Sequence, residues 1–177
     1  IVFQRLVRHD VPSFLDDHRL YSTVVVPGSA HLAFILTAMA TVDGNQPYVI
    51  TNATFRQPLV MPDGQSRRMQ FSFEPRESQG HHFASQSCEE KTGTRRDDWV
   101  VHADGDIAPL DGPEATPLPP QERMAIIDRC SQVIAGDDYY QLMWDVGYHL
   151  GTSFRWIDQL WRGKGEVICR LRPPASS

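Results

Sequence analysis

One long apolar segment, residues 29–42, most constrains what this chain can fold into. It follows a β-branched run over residues 21–26 and the pair Pro27-Gly28, which end a strand and start a helix. Its large apolar side chains recur with the spacing of one helix face: Leu32, Ile35, Leu36, Met39 and Ala40. The spacing predicts a helix that is buried along that face.

Strand patterns lie on both sides of this helix. Residues 1–8 predict an amphipathic strand with Val2 and Leu6 on its apolar face. Four further strands, separated by turn signals, are predicted over residues 48–55, 68–74, 82–88 and 99–107. A buried helix followed by a run of antiparallel strands indicates an α+β fold in which a curled sheet wraps the long central helix.

Composition divides the chain into three predicted parts. Residues 1–108 hold the long helix and these strands, and residues 109–120 contain five prolines, which favour an exposed, extended linker. Residues 121–177 form the third part. Its pattern predicts a helix over 122–134, a helix capped by Asp137, and strands over 156–161 and 166–171. Two helices and two strands cannot close a sheet, so we expect this part to be incomplete.

Charge and cysteine spacing exclude several classes of function. The net charge is −5 at pH 7 and there is no basic tract, so we expect no nucleic-acid partner. No apolar run has the length of a membrane span. Cys88, Cys130 and Cys169 are far apart, which indicates reduced thiols in a cytoplasmic protein rather than a disulfide framework or a zinc site. We therefore predict no metal.

His18 stands in a chemically suggestive setting, ahead of Pro27, Gly28 and the apolar helix. Histidine ordinarily titrates near neutral pH, so its imidazole can act as a general base. The first backbone amides of a helix have no intrahelical partner and lie at the positive end of its dipole. The amides of Gly28 and Ser29 are therefore candidates to stabilise a developing oxyanion.

The segment FLDDHRLYSTVVVPGSAHLAF resembles the dehydratase domains of modular polyketide synthases, whose motif is HxxxGxxxxP. Here the motif positions hold His18, Ser22 in place of the glycine, and Pro27. Further stretches resemble the family in the same order: ATFRQPLVMPDG, WVVHADGDI and DYYQLMWDVGYHLGTSFRWIDQLWRGKGEVICRLRPP. The resemblance implies a double hot-dog fold. Residues 1–108 would be the N-terminal hot dog, and residues 121–177 the start of the second.

The same resemblance implies a hydro-lyase of polyketide biosynthesis. Its substrate would be a 3-hydroxyacyl thioester, carried on the phosphopantetheine of an acyl carrier protein, and no other cofactor is expected. His18 would remove the proton at C2, and an acid would protonate the departing hydroxyl. Pro27, Gly28 and Ser29 would bind the thioester oxygen.

Four further residues are predicted to line the pocket: Tyr21, Ser22, Leu150 and Phe154. The family often has GYxYGPxF where this chain has GYHLGTSF, so that Leu150 replaces a tyrosine and Thr152 a proline. Leucine cannot donate the hydrogen bond of a tyrosine. Ser22 stands where glycine would tolerate a positive φ.

In the family, a catalytic aspartate comes from the central helix of the second hot dog, beyond the equivalent of residues 171–174. We therefore expect a complementing C-terminal fragment, on a separate chain, to supply it in a heterodimer; a homodimer is a further alternative. Two other functions remain open. One is a non-catalytic structural or docking remnant within a synthase, and the other is a related isomerase or cyclase.

Overall fold

The computed structural model describes residues 1–44, 46–76, 80–90, 98–112 and 116–173. The chain divides into two compact units. The first comprises Ile1–Asp16 and Thr23–Gly112, and the second comprises Asp17–Ser22 and Pro113–Ser177. The short segment that carries His18 therefore groups with the C-terminal part of the chain.

The long helix of the first unit forms where the sequence predicts it. This helix, α1, spans Gly28–Asp43 and begins after Pro27, whose backbone is extended. Ile35 and Met39 are buried as expected, but Leu36 is 38% exposed, so its predicted burial is wrong. The buried face of α1 is centred on His31 and Ala38. The helix is therefore rotated about its axis relative to the orientation that the positions of its leucines predict.

An antiparallel five-stranded sheet lies against α1. Its strands are β1 (Val2–Arg8), β4 (Tyr48–Phe55), β6 (Ser66–Pro75), β7 (His81–Glu89) and β8 (Val100–Pro109). They run in the order β1-β6-β7-β8-β4. Two shorter strands of this unit, β3 (Thr23–Val26) and β5 (Leu59–Met61), pair with each other antiparallel. The fold is the α+β hot-dog arrangement that the sequence predicts.

The core of the first unit lies between α1 and the strands. Phe71, Phe73 and Phe83 contribute large side chains that are at most 3% exposed. In β1 the buried residue is Val7, whereas Val2 and Leu6 are 57% and 46% exposed. The predicted apolar face of β1 is therefore wrong. Side chains alternate between the two faces of a strand, and the face toward the core is the one opposite Val2 and Leu6.

Among its described residues, the second unit has two α-helices, a short 3₁₀ helix and short strands. The α-helices are α2 (Pro120–Arg129) and α3 (Gly136–Asp145), and the strands are β2 (His18–Leu20), β9 (Gln132–Ala135), β10 (Tyr148–Leu150), β11 (Ile157–Arg162) and β12 (Val167–Leu171). β9, β11 and β12 form an antiparallel sheet in the order β12-β11-β9, while β10 pairs with β2. Tyr140 and Leu160 are its buried large side chains among the described residues.

The helix predicted over residues 122–134 is wrong at its C-terminal end. α2 stops at Arg129, and the backbone of Cys130 is extended. Val133 and Ile134 instead pair with β11, opposite Trp161 and Leu160. Both are β-branched residues, and their pairing with a distant strand overrides the helical pattern of the preceding residues.

The proline-rich segment lies between β8 and α2. Pro109 is the last residue of β8 and Pro120 the first of α2. Residues 116–119 are exposed, and residues 113–115 of the predicted linker lie outside the described residues. Among the described residues, no helix is long and apolar enough to cross a membrane.

Candidate active site

His18 is the first residue of β2 and lies opposite Leu150 of β10. The side chain is half-buried. The centre of its imidazole ring lies 5.1 Å from the centre of the Phe154 ring, with the two planes inclined by 58°. Three of the predicted site residues, from two distant parts of the sequence, therefore come together within the second unit.

The turn after β2 contains the other two predicted lining residues of this unit. Tyr21 has φ 48° and Ser22 has φ 71°, so the position where the family has glycine does adopt the left-handed conformation. Arg19 Nη1 donates a 2.7 Å hydrogen bond to the Ser22 carbonyl, and the Tyr21 amide donates one of 2.8 Å to Gly147. Ser22 is exposed and Tyr21 is 78% exposed.

Hydrogen bonds from α3 fix the segment that carries Leu150 and Phe154. Trp144 Nε1 donates to the Leu150 carbonyl at 3.2 Å. The hydroxyl of the buried Tyr140 donates to the Phe154 carbonyl at 3.1 Å and accepts from the Ile157 amide at 2.9 Å. These aromatic side chains therefore hold the backbone beside His18 from one side.

Asp17 holds the same segment by a second set of contacts. Its carboxylate accepts a 2.8 Å hydrogen bond from the Ser153 amide, and its carbonyl accepts one of 2.8 Å from the Gly151 amide. The partner segment is distant in the chain, so no local pattern could have revealed these bonds.

Pro27, Gly28 and Ser29 lie in the first unit, at the N-terminus of α1. The Pro27 carbonyl accepts hydrogen bonds from the amides of Ala30 and His31 at 2.9 and 3.4 Å. The amides of Gly28 and Ser29 precede this first intrahelical bond, as oxyanion donors would. A Cβ at Gly28 would lie 2.9 Å from the ring of Phe55, which approaches the backbone closely.

Two buried histidines of the first unit are partnered by serines of β7. His31 Nδ1 lies 2.8 Å from Ser85 Oγ, and His102 Nε2 lies 2.8 Å from Ser87 Oγ. The ring centres of the histidines are 5.7 Å apart. Burial, followed by repulsion from His102, lowers the pKa of His31 to about 4. Burial also lowers the pKa of His102. Burial therefore favours the neutral form of both imidazoles.

The spacing of the family's aspartate motif, DxxxQ or DxxxH, does occur within this chain. After Pro120 it joins Asp128 to Gln132, Asp137 to Gln141, and Asp145 to His149. The carboxylate of Asp137 pairs with Arg155 at 3.1 Å, and that of Asp145 accepts a 3.0 Å hydrogen bond from Gln141. α2 has no buried residue, and α3 buries only Gly136 and Tyr140. None of the three therefore lies on a buried central helix comparable to α1.

Within the described part of the chain, no group of three or more histidine, cysteine, aspartate or glutamate side chains gathers where it could hold a metal ion. No disulfide joins the described cysteines, Cys88, Cys130 and Cys169.

Models of known protein families match most of the chain. The model for the polyketide synthase dehydratase domain matches residues 1–88, and that for the polyketide synthase dehydratase N-terminal domain matches residues 118–177. Among curated proteins, polyketide synthase PksN of Bacillus subtilis is 29% identical over 168 residues. The spectinabilin polyketide synthase system protein NorA of Streptomyces orinoci is 27% identical over 166. The matches cover 92% and 93% of this chain, but only 3% and 8% of those much longer proteins.

Solved dehydratase structures share the fold. The dehydratase domain from the CurJ module of curacin polyketide synthase is 33% identical, with a TM-score of 0.81. That match covers 99% of this chain and 58% of the CurJ chain. A trans-AT polyketide synthase dehydratase domain from Brevibacillus brevis has a TM-score of 0.85 at 20% identity, covering 98% of this chain and 60% of the other. The chain thus spans less than two thirds of these dehydratase domains.

Proposed function

This chain belongs to the polyketide synthase dehydratase family, and we propose that it supplies the histidine part of a dehydratase active site. The reaction would be the dehydration of a 3-hydroxyacyl thioester to an enoyl thioester, with the substrate carried on the phosphopantetheine of an acyl carrier protein. The observation that carries the proposal is the placement of His18, half-buried on β2 beside Leu150 and Phe154.

The proposed chemistry begins with the imidazole of His18 as the base. It takes the proton from C2 of the thioester, and the electron pair forms the enolate. We assign the binding of the thioester oxygen to the amides of Gly28 and Ser29, with Pro27 setting the start of the helix. As the C2–C3 double bond forms, the C3–O bond breaks and an acid protonates the departing hydroxyl, which leaves as water.

We assign that acid to an aspartate on a complementing C-terminal dehydratase fragment. The chain spans 58% of the CurJ dehydratase domain, so this family fold includes elements beyond those of the present chain. Within the described residues, β9 and β12 are edge strands of their sheet. Val133 and Leu171, on these two strands, are 58% and 62% exposed. Unpaired edges with exposed apolar side chains favour the addition of further strands.

Variants of two relatives support a histidine–aspartate mechanism. A histidine-to-phenylalanine variant of the CurJ dehydratase, 34% identical to this chain, is described as inactive. An aspartate-to-asparagine variant of the CurK dehydratase is also described as inactive. Each result concerns that protein, and the proposal extends the same pair of functional groups to this chain and its partner.

A complementation assay tests the proposal. This chain is co-expressed with the C-terminal portion of the CurJ dehydratase domain, and a 3-hydroxyacyl carrier protein is supplied as substrate. Mass spectrometry of the acyl group should then show the loss of one water. We expect His18→Ala to reduce turnover by at least about a hundredfold, since a general base contributes roughly that much or more.

His149→Ala is the matched control, because His149 is an exposed histidine on β10, next to Leu150. It should retain full turnover. Dehydration that persists in His18→Ala would overturn the assignment of the base. Carrier-protein binding that survives His18→Ala, with no turnover by the unsubstituted complex, would instead support the non-catalytic docking function.

The position of Leu150 favours a second candidate function, a dehydratase-like isomerase or cyclase. Leu150 lies directly opposite His18, where the family's tyrosine would place a hydroxyl beside the base. A base without that donor could instead move a double bond or promote ring closure. Chromatography of the products from an enoyl or a hydroxy-enoyl thioester detects a shifted double bond or a new ring, neither of which changes the mass. Dehydration differs because it lowers the mass by one water.

A further inference from the structure

We infer that Asp17 is a positioning residue for His18, acting by capping the backbone of residues 151–153. Its importance for catalysis rests on the proposed function of His18. The capping itself is a property of the second unit and can be measured without turnover.

Asp17 accepts hydrogen bonds from three consecutive residues. Its backbone carbonyl accepts from the Gly151 amide at 2.8 Å. Its Oδ2 accepts from the Ser153 amide at 2.8 Å and from the Thr152 hydroxyl at 3.4 Å. The last bond is long, so the two backbone donors define the contact.

Residues 151–153 begin a short helix and need an N-terminal cap that their own side chains do not supply. Thr152–Phe154 is a short 3₁₀ helix whose N-cap residue, Gly151, makes no side-chain capping bond. The first amides of such a helix have no partner within it. Asp17 therefore does what an N-cap side chain usually does, but from a distant part of the chain.

Gly151 fits this interpretation sterically. A Cβ on Gly151 would collide with the Asp17 carboxyl group. The absence of a side chain at Gly151 thus leaves the space that the carboxylate occupies. The backbone of Gly151 also donates to the carbonyl of the same residue, so the glycine and the aspartate fit together at two points.

The contact between Asp17 and residues 151–153 adjoins both segments that form the proposed site. Asp17 precedes His18, and the capped segment lies between Leu150, which pairs with His18, and Phe154, which contacts its ring. The hydroxyl of Tyr140 donates a hydrogen bond to the Phe154 carbonyl. Removing the Asp17 carboxylate leaves the half-buried Ser153 amide without this acceptor. We expect the 3₁₀ turn and the Phe154 ring to shift against the imidazole.

Asp16 offers a matched comparison. It is the adjacent acidic residue, but its carboxylate lies 3.3 Å from His9 Nδ1, in the first unit. Both Asp16→Ala and Asp17→Ala remove one negative charge from the same short segment. A difference between the two variants therefore reports the cap rather than the charge.

The first measurement is the carbon-13 NMR signal of the His18 Cε1–H group in the full chain, identified by its loss in His18→Gln. Asp17→Ala should move this signal in the same direction as Phe154→Leu, because both weaken the ring current of Phe154 at the imidazole. Asp16→Ala should leave it in place. An unmoved signal in Asp17→Ala, with the remaining spectrum unchanged, overturns the proposal.

A conservative variant covers the case in which Asp17→Ala does not fold. Asp17→Asn keeps one oxygen acceptor on the same side chain, so it should fold and retain most of the His18 signal position. A signal for Asp17→Asn that coincides with that of Phe154→Leu would show that a neutral acceptor cannot hold the turn and that the contact depends on charge. That result contradicts a role based on capping geometry.

The second measurement is turnover of the complemented dehydratase. Asp17→Ala should lower kcat by about tenfold to a hundredfold, the cost of misplacing a catalytic group by about 1 Å. KM should stay within about twofold, and Asp17→Asn should restore most of kcat. Equal losses for Asp16→Ala and Asp17→Ala would overturn the positioning role. If the unsubstituted complex has no turnover, the proposed function fails, while the NMR signal still decides whether Asp17 positions His18.

Discussion

The two units of the chain bury their apolar side chains to very different degrees. In the first unit, fifteen of the described residues form a buried core between α1 and its strands. In the second unit, the buried large side chains among the described residues are Tyr140 and Leu160, while Val133 and Leu142 are 58% and 57% exposed. His18 belongs to this second unit. Its surroundings are therefore held mainly by hydrogen bonds that Asp17 accepts and that Tyr140 and Trp144 donate, rather than by a deep core.

The largest expected effect is a truncation in the core of the first unit. Phe83 is fully buried, and its ring lies against the backbone of Gly105, where a Cβ would be 2.9 Å away. Phe83→Ala should lower the free energy of unfolding by about 3–5 kcal/mol, because it removes a buried aromatic ring and leaves a cavity. Urea denaturation measures the loss in the free energy of unfolding, and hydrogen exchange of the amides in each unit shows which unit loses stability.

The matched truncation in the second unit is Leu142→Ala, on α3. Because Leu142 is 57% exposed, its removal should change the free energy of unfolding by no more than about 0.5 kcal/mol. A loss as large as that of Phe83→Ala would mean that the surface around Leu142 is covered in solution. The contrast between the units would then be wrong.

The second effect is a pH dependence that resides in the first unit. The folded pKa of His31 is about 4, below its ordinary value of 6.5, so the folded state favours the neutral imidazole. The resulting stability is fully present above about pH 6.5 and is lost as the pH falls toward about 4. Between about pH 7 and pH 5 the loss should be about 2 kcal/mol for His31 alone. Denaturation curves at the two pH values measure it.

A variant without the titrating group provides the control for this pH effect. His31→Gln can still hydrogen-bond Ser85, and it should reduce the pH dependence between about pH 7 and pH 5. His149→Gln, on the exposed strand β10 of the second unit, should leave the dependence unchanged. The lowered pKa values of Asp104 and Asp106 act at more acidic pH and do not interfere. An identical slope in His31→Gln would contradict the assignment.

The third effect concerns the turn beside His18. Gly147 has φ 89°, and a Cβ there would collide with the ring of Tyr21. Gly165 has φ 76°, but no atom would lie within 4 Å of its Cβ. Both alanine variants should lose about 1 kcal/mol from backbone strain. Gly147→Ala should lose up to about 1 kcal/mol more, because the Tyr21 ring must move.

A double variant isolates that additional loss. In the Tyr21→Ala background, Gly147→Ala should lose no more than Gly165→Ala does. Urea denaturation of five chains measures this: the unsubstituted chain, the three single variants and the double variant. If the two glycine variants lose the same stability, Tyr21 does not rest on Gly147, and the turn is less well defined than the structure indicates.

Local patterns predicted much of the first unit. The β-branched run, the Pro27-Gly28 pair and the apolar spacing place α1 within one residue of its observed ends, because these signals act over a few neighbouring residues. The strand over residues 48–55 has the predicted bounds. The same kind of signal failed at Val133 and Ile134, because the pairing of β9 with β11 depends on residues far along the chain.

In the candidate site too, the sequence identifies some features and only the structure shows the others. The family motif and the chemistry of elimination single out His18, Pro27, Gly28 and Ser29 from the sequence, because residue type and spacing carry that information. Only the folded chain shows that His18 lies opposite Leu150 and that Asp17 caps the turn before Phe154. Hydrogen bonds between segments so distant in sequence leave no local pattern. They become visible only when the backbone brings donor and acceptor within reach.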